Sequence, residues 1–361
     1  MTTYRYKRIA VKIGSNVLAG ENGALDLKRM SSIVSQVSIL QKSGVEVILV
    51  SSGAVASGRN VVKPTRKLDQ VDQRQLYSAV GQAILINNYC ELFKENGLIC
   101  GQILTTKENF KSRRHYLNQK NCMTVMLENG IIPIVNENDA ISVSELMFTD
   151  NDELSGLIAS MMGTEALIIL SNIDGIYNGN PNESDTEVIR EIYPNTELKQ
   201  YIASGKSSFG RGGMLTKSNI ARKVAEEGIT VYIANGKKDN ILTDLLDTEK
   251  EVVCSRFVAD DKASSAVKKW IAHSEGFAKG EIHINRGCLE ALLGKEATSL
   301  LPVGVTHIEG DFEKSDIVRI FDQDNNQIGV GKAQYGSATA KDLIGKKGQK
   351  PLIHYDYLYL D

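Results

Sequence analysis

The sequence predicts an α/β protein with a mainly parallel sheet sandwiched by helices, followed by a small, mostly β C-terminal domain. Short β-branched runs alternate with helical periods over about the first 235 residues, and such alternation predicts a parallel sheet covered on both faces. From about residue 260 the pattern changes to short strands separated by turns. The 361 residues also exceed the roughly 250–300 at which single cores stop growing, which favours two domains.

Six segments of the first part are short β-branched runs, and several of them are apolar throughout, as strands buried on both faces are. Two helical periods between them end at glycines, a common C-terminal signal of helices: 27–40 ends at Gly44, and 73–96 ends at Gly97. In such sheets ligands bind beyond the carboxyl ends of the strands, so the residues there are the candidates for a site. The predicted strands are 8–14, 45–52, 98–104, 131–136, 166–171 and 230–234.

The predicted first domain covers residues 1–259, and a linker with a short helical stretch covers 260–278. The predicted β domain covers residues 279–361 and contains four short strand-like segments. Turn residues such as 324–326 separate these segments. The chain therefore carries its strand-to-helix junctions, and with them its candidate site, in the first domain.

Charge and cysteine content exclude several classes of protein. The net charge of −2 gives no global field that would attract nucleic acid or an anionic membrane. Five widely spread cysteines make a disulfide framework or a structural zinc site improbable and fit reduced thiols. No segment approaches the ~20 apolar residues of a membrane span. We therefore expect a cytoplasmic protein without a membrane partner.

Two lysines occupy positions that favour binding of an anion. Lys12 lies near the end of the first strand, where burying an ammonium group is costly unless it is paired; a lysine at a sheet edge that reaches water is the alternative. The glycine-rich run 208–217 leads into a helix and places Lys217 in its first turn, although its spacing is not that of a P-loop. The helix N–H groups and the ammonium group would meet the same anion. A solvated surface loop is the alternative for this run.

Polar residues follow the other strands. Residues 136–139 are four consecutive polar residues after an apolar strand, which places amides and carboxylates where a polar substrate would lie. Asp150 and Asn151 precede a helix that continues through Met162. One interpretation of the acids there is that they cap the helix dipole. The alternative is that Asp150 orients the lysines or helps to hold Mg²⁺, and that Asn151 binds substrate. Ser52 ends the second predicted strand, where small hydroxyl residues followed by a glycine allow close approach of a ligand. A role as helix N-cap explains Ser52 equally well.

Together and in this order, these motifs resemble the amino acid kinase family. Within that family they resemble the enzymes that phosphorylate the γ-carboxylate of L-glutamate at the start of proline synthesis, and residues 279 onward resemble a PUA domain. The resemblance implies the amino acid kinase fold, L-glutamate as substrate, and ATP and Mg²⁺ as cofactors. The motifs are VKIGS (11–15), VSSGAVASGR (50–59), PIVNENDA (133–140), TDNDELS (149–155) and GRGGMLTK (210–217).

The resemblance also implies roles for individual residues. Lys12 and Lys217 would contact the transferring phosphoryl group, and Asp150 would organise them. Glutamate would be held by Ser52, Asp139 and Asn151. No protein ligands for a metal are assigned. The ATP site would comprise Lys12, Ser171, Asn172, Arg211, Gly212, Gly213, Met214, Leu215, Thr216 and Lys217.

This sequence departs from the family pattern at the nucleotide site. Ser171 and Asn172 stand where Thr-Asp is common, and Arg211 stands where the loop often begins with Thr. The loss of a carboxylate at Asn172 affects details of nucleotide or metal binding rather than the class of reaction. That class needs no general base, because a carboxylate nucleophile is already ionised at pH 7.

The resemblance further implies feedback inhibition by proline and a homo-oligomer, either a dimer or a tetramer. Two alternatives to glutamate phosphorylation stay open at this point. One is another amino acid kinase, acting on acetylglutamate or carbamate. The other is an RNA-binding protein acting through the PUA-like domain, against which the near-neutral charge and the absence of arginine clusters argue.

Overall fold

The structure, a computed structural model, divides the chain into two compact units, Met1–Ala263 and Ser264–Asp361. The division falls inside the segment 260–278 that the sequence predicts as a linker. The predicted limits of the linker stay a prediction, because 261–277 lie outside the described residues. The structure describes residues 3–20, 23–111, 113–142, 151–179, 186–194, 196, 198, 214–260, 278–294 and 298–360.

The first unit is built on an eight-stranded sheet with the order β3-β4-β2-β1-β5-β7-β8-β6. All neighbouring strands are parallel except β7 and β8. The predicted parallel sheet and its six strands are therefore confirmed, whereas β6 and β8 are too short to have a recognisable period. The strands are β1 (Arg8–Ile13), β2 (Glu46–Val50), β3 (Ile99–Thr105), β4 (Ile131–Glu137), β5 (Ala166–Ser171), β6 (Glu191–Ile192), β7 (Thr230–Asn235) and β8 (Ser255–Phe257).

Helices cover both faces of this sheet, so its central strands β1, β2 and β5 are buried almost throughout. One core cluster joins the sheet to α2, α4 and α9, and a second joins it to α7 and α8. This double cover explains why the strands read as apolar runs rather than as alternating patterns. The helices are α1 (Ser15–Leu18), α2 (Leu27–Lys42), α3 (Ala54–Val61), α4 (Gln70–Glu95), α5 (Lys107–Lys111), α6 (Arg113–Glu128), α7 (Asn151–Met162), α8 (Met214–Glu226) and α9 (Ile241–Leu246).

Helix α4 is held against α3 by direct backbone contact. A Cβ atom on Gly81 would lie 1.8 Å from the carbonyl oxygen of Ala54, and one on Gly58 would lie 1.9 Å from that of Tyr77. Both positions therefore require glycine, since any side chain would force the helices apart. Asp69 begins α4 as its N-cap, accepting a hydrogen bond from the backbone N–H of Asp72.

The second unit is a five-stranded sheet with the order β10-β9-β11-β12-β13 and its own apolar core. The four predicted strands are confirmed; β13 and two short helices were not predicted. No helix in the described parts of either unit is long and apolar enough to cross a membrane. The elements are β9 (Gly280–Ile284), α10 (Arg286–Leu292), β10 (Val305–Gly310), β11 (Ile317–Phe321), β12 (Gln327–Ala333), α11 (Ser337–Leu343) and β13 (Ile353–Leu360).

Candidate active site

The point where the strand order reverses lies at β1. From β1 the chain builds the sheet through β2, β4 and β3 on one side, and through β5 and β7 on the other. In open α/β sheets the crevice at such a point, outside the carboxyl ends of the strands, is the usual ligand site. Lys12 is the penultimate residue of β1, in register with Val50 of β2 and Ile169 of β5.

Lys12, Asp152 and Lys217, here called the lysine cluster, form a buried ion-pair network at this point. The Nζ atom of Lys12 lies 2.5 Å from Oδ1 of Asp152, and the Nζ atom of Lys217 lies 2.8 Å from Oδ2. The Asp152 side chain is fully buried, and those of Lys12 and Lys217 are 6% and 11% exposed. The structure therefore brings together two lysines that lie about 200 residues apart in the sequence.

Electrostatics favour an ionised carboxylate in the lysine cluster. Burial alone would raise the pKa of the Asp152 carboxyl, but the ammonium groups of Lys12 and Lys217 outweigh it and lower that pKa. Counted over these three described residues, two cations and one anion leave one net positive charge among largely buried side chains. Such an excess is costly in isolation, so the arrangement is suited to receive a further anion.

Among the described residues, Asp152 contacts both lysines, and the sequence reasoning did not select it. The predicted acid, Asp150, lies outside the described residues. Asp152 is the second residue of α7, and the preceding Asn151 begins that helix. Because consecutive helical residues point about 100° apart, Asn151 and Asp152 face different sides of the site. Three polar residues at a helix start were a visible signal, whereas the contact of Asp152 with Lys217 depends on the packing of α7 against α8. The role assigned to Asp150 stays a prediction.

Ser52 and Asn151, both predicted to bind substrate, are brought together on the β2–β4 side. The side-chain amide of Asn151 donates to the carbonyl oxygen of Ser51 at 2.8 Å, to Oγ of Ser52 at 3.0 Å and to Oδ1 of Asn136 at 3.0 Å. Gly53 follows with φ of 111°, a left-handed conformation that favours glycine, and begins α3. The start of α7 is thereby tied to the carboxyl ends of β2 and β4.

Asp139, the third predicted substrate residue, belongs to a second charged group with Arg74 and Glu137, here called the acidic cluster. Arg74 donates from Nε to Oδ1 of Asp139 at 2.7 Å and from Nη2 to Oε2 of Glu137 at 2.8 Å, and Nη2 also contacts Asp139. The side chains of Glu137 and Asp139 are 3% and 11% exposed. Sequence reasoning missed Arg74, because it lies more than 60 residues before its partners and in a different element.

The β5–β7 side holds the described part of the predicted nucleotide site. Ser171 is buried at the end of β5, its carbonyl accepts from the N–H of Gly236 at 2.8 Å, and the adjacent Asn172 is exposed. Lys238 lies 2.9 Å from Asp174 just beyond β5 and β7, in a pair that the sequence reasoning did not assign to the site.

The glycine-rich loop is described only from its helix onward. Met214, Leu215 and Thr216 form the first residues of α8, directly before Lys217, and Leu215 is exposed. The predicted nucleotide residues Arg211, Gly212 and Gly213 lie outside the described residues.

Comparison with known proteins agrees with this arrangement. The sequence model of the amino acid kinase family matches residues 7–235, which is more than half of the chain. The chain belongs to the amino acid kinase family. This amino acid kinase also matches the PUA domain over residues 280–355, which agrees with the separate β unit and confirms the predicted pairing of the two domains.

The relatives of this amino acid kinase match it over nearly its whole length. It is 68% identical over 356 residues to the glutamate 5-kinase of Bacteroides thetaiotaomicron, covering 99% of both chains. It is 50% identical over 361 residues to the glutamate 5-kinase of Chlorobaculum tepidum, covering 98% of both. A glutamate 5-kinase of Streptococcus pneumoniae is 35% identical over 357 residues, covering 97% of this chain and 95% of that one.

Proposed function

We propose that this protein transfers the γ-phosphoryl group of ATP to the γ-carboxylate of L-glutamate, giving L-glutamyl 5-phosphate for proline biosynthesis. The observation that carries the proposal is the buried lysine cluster at the strand-order reversal, in a chain 68% identical to a glutamate 5-kinase. One net positive charge there complements the charge of a phosphoryl group in transit.

In the proposed reaction a γ-carboxylate oxygen of glutamate forms a bond to the γ-phosphorus of ATP, and the bond from that phosphorus to the bridging oxygen breaks to release ADP. The nucleophile is ionised at pH 7, so positioning and charge neutralisation carry the catalysis. Lys12 and Lys217 supply positive charge to the equatorial phosphoryl oxygens, and Asp152 fixes both ammonium groups. No histidine or serine nucleophile is needed.

Mg²⁺ enters this proposal as an ion carried by the nucleotide phosphates. Among the described residues no three histidine, cysteine or acidic side chains gather into a metal site. Each carboxylate oxygen of Asp152 already has an ammonium partner, which supports phosphate oxygens as the main ligands, as is usual for this ion. When bound together with ATP, Mg²⁺ would supply further neutralisation of the phosphate charge.

The β2–β4 side is assigned to glutamate in this proposal, through Ser52, Asp139 and Asn151. A carboxylate such as Asp139 suits the free α-ammonium group of glutamate and not the neutral acylated nitrogen of acetylglutamate. The β5–β7 side, with Ser171, Asn172 and the residues Met214–Lys217, is assigned to ATP. Inhibition by proline and a homo-oligomer are carried over from the family resemblance as further proposals.

The test is an ADP-release assay with glutamate, acetylglutamate, aspartate and carbamate as acceptors, with hydroxylamine trapping of the acyl phosphate. We expect ADP release and trapped hydroxamate with glutamate well above the other acceptors. A preference for acetylglutamate or carbamate would overturn the proposal. Salt-dependent RNA binding without turnover of any acceptor would instead favour an RNA-binding function.

A further inference from the structure

Helix α4 reaches the substrate side through a stripe of polar side chains. The amide of Gln75 donates to the carbonyl oxygen of Ala140 at 2.8 Å, Gln82 accepts from the amide of Asn136 at 2.7 Å, and the Tyr89 hydroxyl lies 2.8 Å from that of Ser51. The spacing of seven residues places these side chains on one face of the helix. That face is directed at the carboxyl ends of β2 and β4 rather than at water.

Arg74 precedes Gln75 on α4, and its charged side chain also reaches residues at the carboxyl end of β4. Its guanidinium group is 20% exposed and binds both carboxylates of the acidic cluster. A guanidinium group presents its N–H donors in a fixed plane, so it holds two carboxylates in a defined relative orientation. Since α4 is locked to α3 through Gly58 and Gly81, Arg74 extends from an element that has little freedom to shift.

The net charge of the acidic cluster suits a cationic ligand. Two carboxylates and one guanidinium group leave one net negative charge, matching the single positive charge of an α-ammonium group. Without Arg74 the cluster would carry two adjacent negative charges, and Glu137, which is almost fully buried, would lose an ionic partner. Asp139 would then lose the planar donor pair that contacts it in the structure.

We infer that Arg74 is a positioning and specificity-determining residue that orients Asp139 toward the α-ammonium group of the acceptor. This inference rests on the proposed function, in which Asp139 binds that group. It deepens the proposal because it explains how selectivity for a free amino acid would be built. Arg74 itself acts through Asp139 and has no role in phosphoryl transfer.

The test compares glutamate with glutarate, which has the same two carboxylates but no α-ammonium group. Arg74→Gln should lower kcat/KM for glutamate by about tenfold or more and change that for glutarate by less than about threefold, because only the ammonium contact is lost. KM for ATP should not change. Arg74→Lys, which keeps the charge but not the planar donor pair, should give an intermediate loss for glutamate.

Arg66→Gln is the matched control, because Arg66 pairs with Asp72 at 3.2 Å near the start of the same helix and its side chain is 72% exposed. It should keep the wild-type ratio of kcat/KM for glutamate and glutarate. In Asp139→Asn, adding Arg74→Gln should cause no further loss of that ratio, since the two residues act through one contact.

Several outcomes would overturn the inference: an unchanged glutamate-to-glutarate ratio in Arg74→Gln, an equal loss with both substrates, or a further loss of the ratio in the double variant. Melting curves accompany each variant, and Arg74→Lys tests the same ratio if Arg74→Gln does not fold. Failure of the wild-type protein to phosphorylate glutamate would overturn the proposed function instead. The two failures are thus distinguishable.

Discussion

The lysine cluster and the acidic cluster are opposite in net charge, and they include residues of different strands, Lys12 of β1 and Glu137 of β4. The first places two cations around one buried carboxylate, and the second places two carboxylates around one half-buried guanidinium group. In each cluster, the single group of opposite charge, Asp152 or Arg74, pairs with the other two groups. It therefore fixes the geometry of the other two groups, and each set of three groups carries one unit of net charge.

The first turn of α7 connects the two sides. Asn151 is bound to the ends of β2 and β4, and Asp152 is bound to the two lysines. Because the side chains of Asn151 and Asp152 point in different directions, a shift of the start of α7 would displace the contacts of both residues together. In the proposed function, one helix terminus would therefore position both substrate binding and phosphoryl transfer, while each would depend on its own charged network.

The largest expected effect comes from removing the shared anion of the lysine cluster. Asp152→Asn leaves two buried ammonium groups without their carboxylate, and breaking a buried ion pair in this way costs about 3–5 kcal/mol of unfolding free energy. Urea unfolding at pH 7 measures the loss. Glu153→Gln is the control, because Glu153 pairs with Lys107 at 3.0 Å and its side chain is 32% exposed; it should cost less than about 1 kcal/mol. Equal losses in both variants would contradict the expected asymmetry.

The stability that Asp152 contributes should depend on pH in acid. Its pKa is lowered in the folded protein, so the contribution is fully present above about pH 3.9, the usual value for an unfolded aspartate. It is lost as pH falls through the lower folded pKa. The difference in unfolding free energy between wild type and Asp152→Asn should therefore stay constant from pH 7 to 5 and shrink below about pH 4. A difference that grew in acid would contradict this sign.

A slightly smaller effect is expected for Lys217→Met, and it should appear in kcat. Loss of one charged group that stabilises a transition state lowers kcat by about 10²- to 10³-fold. KM for glutamate should change little, because the acidic cluster is untouched. Lys223→Met, on the same helix α8, is the control and should keep wild-type turnover. Wild-type kcat in a folded Lys217→Met protein would remove Lys217 from the proposed mechanism.

The lysine cluster was largely predictable from the sequence, and the acidic cluster only in part. Lys12 and Lys217 each sit at an unusual local position, one in an apolar strand and one at the end of a glycine-rich run. Such positions are visible in a window of about ten residues. Arg74 has no local signature, because an arginine in the first turns of a surface helix is ordinary until the fold brings residues 137 and 139 against it.

The same distinction applies to the fold. The longer strands β1–β5 and β7 carry β-branched runs, most of them apolar, and were predicted with ends within two residues of those observed. The short β6 and β8 gain their pairing from neighbours that are distant in sequence. The contact between Asp152 and Lys217 likewise depends on the position of α8. Tertiary contacts, rather than propensity, decide these cases.

The smallest predicted effect tests whether α4 as a whole supports the acidic cluster. Asp69 caps α4 and Asp26 caps α2, each accepting from a backbone N–H three residues later at 2.8 and 3.0 Å. Alanine at either position should lower the unfolding free energy by about 1 kcal/mol. Only Asp69→Ala should also raise KM for glutamate, by at most about fivefold, since that is what 1 kcal/mol allows. The two variants should lose similar stability. If KM for glutamate then rose in both variants, or in neither, the start of α4 would not be what holds Arg74 in place.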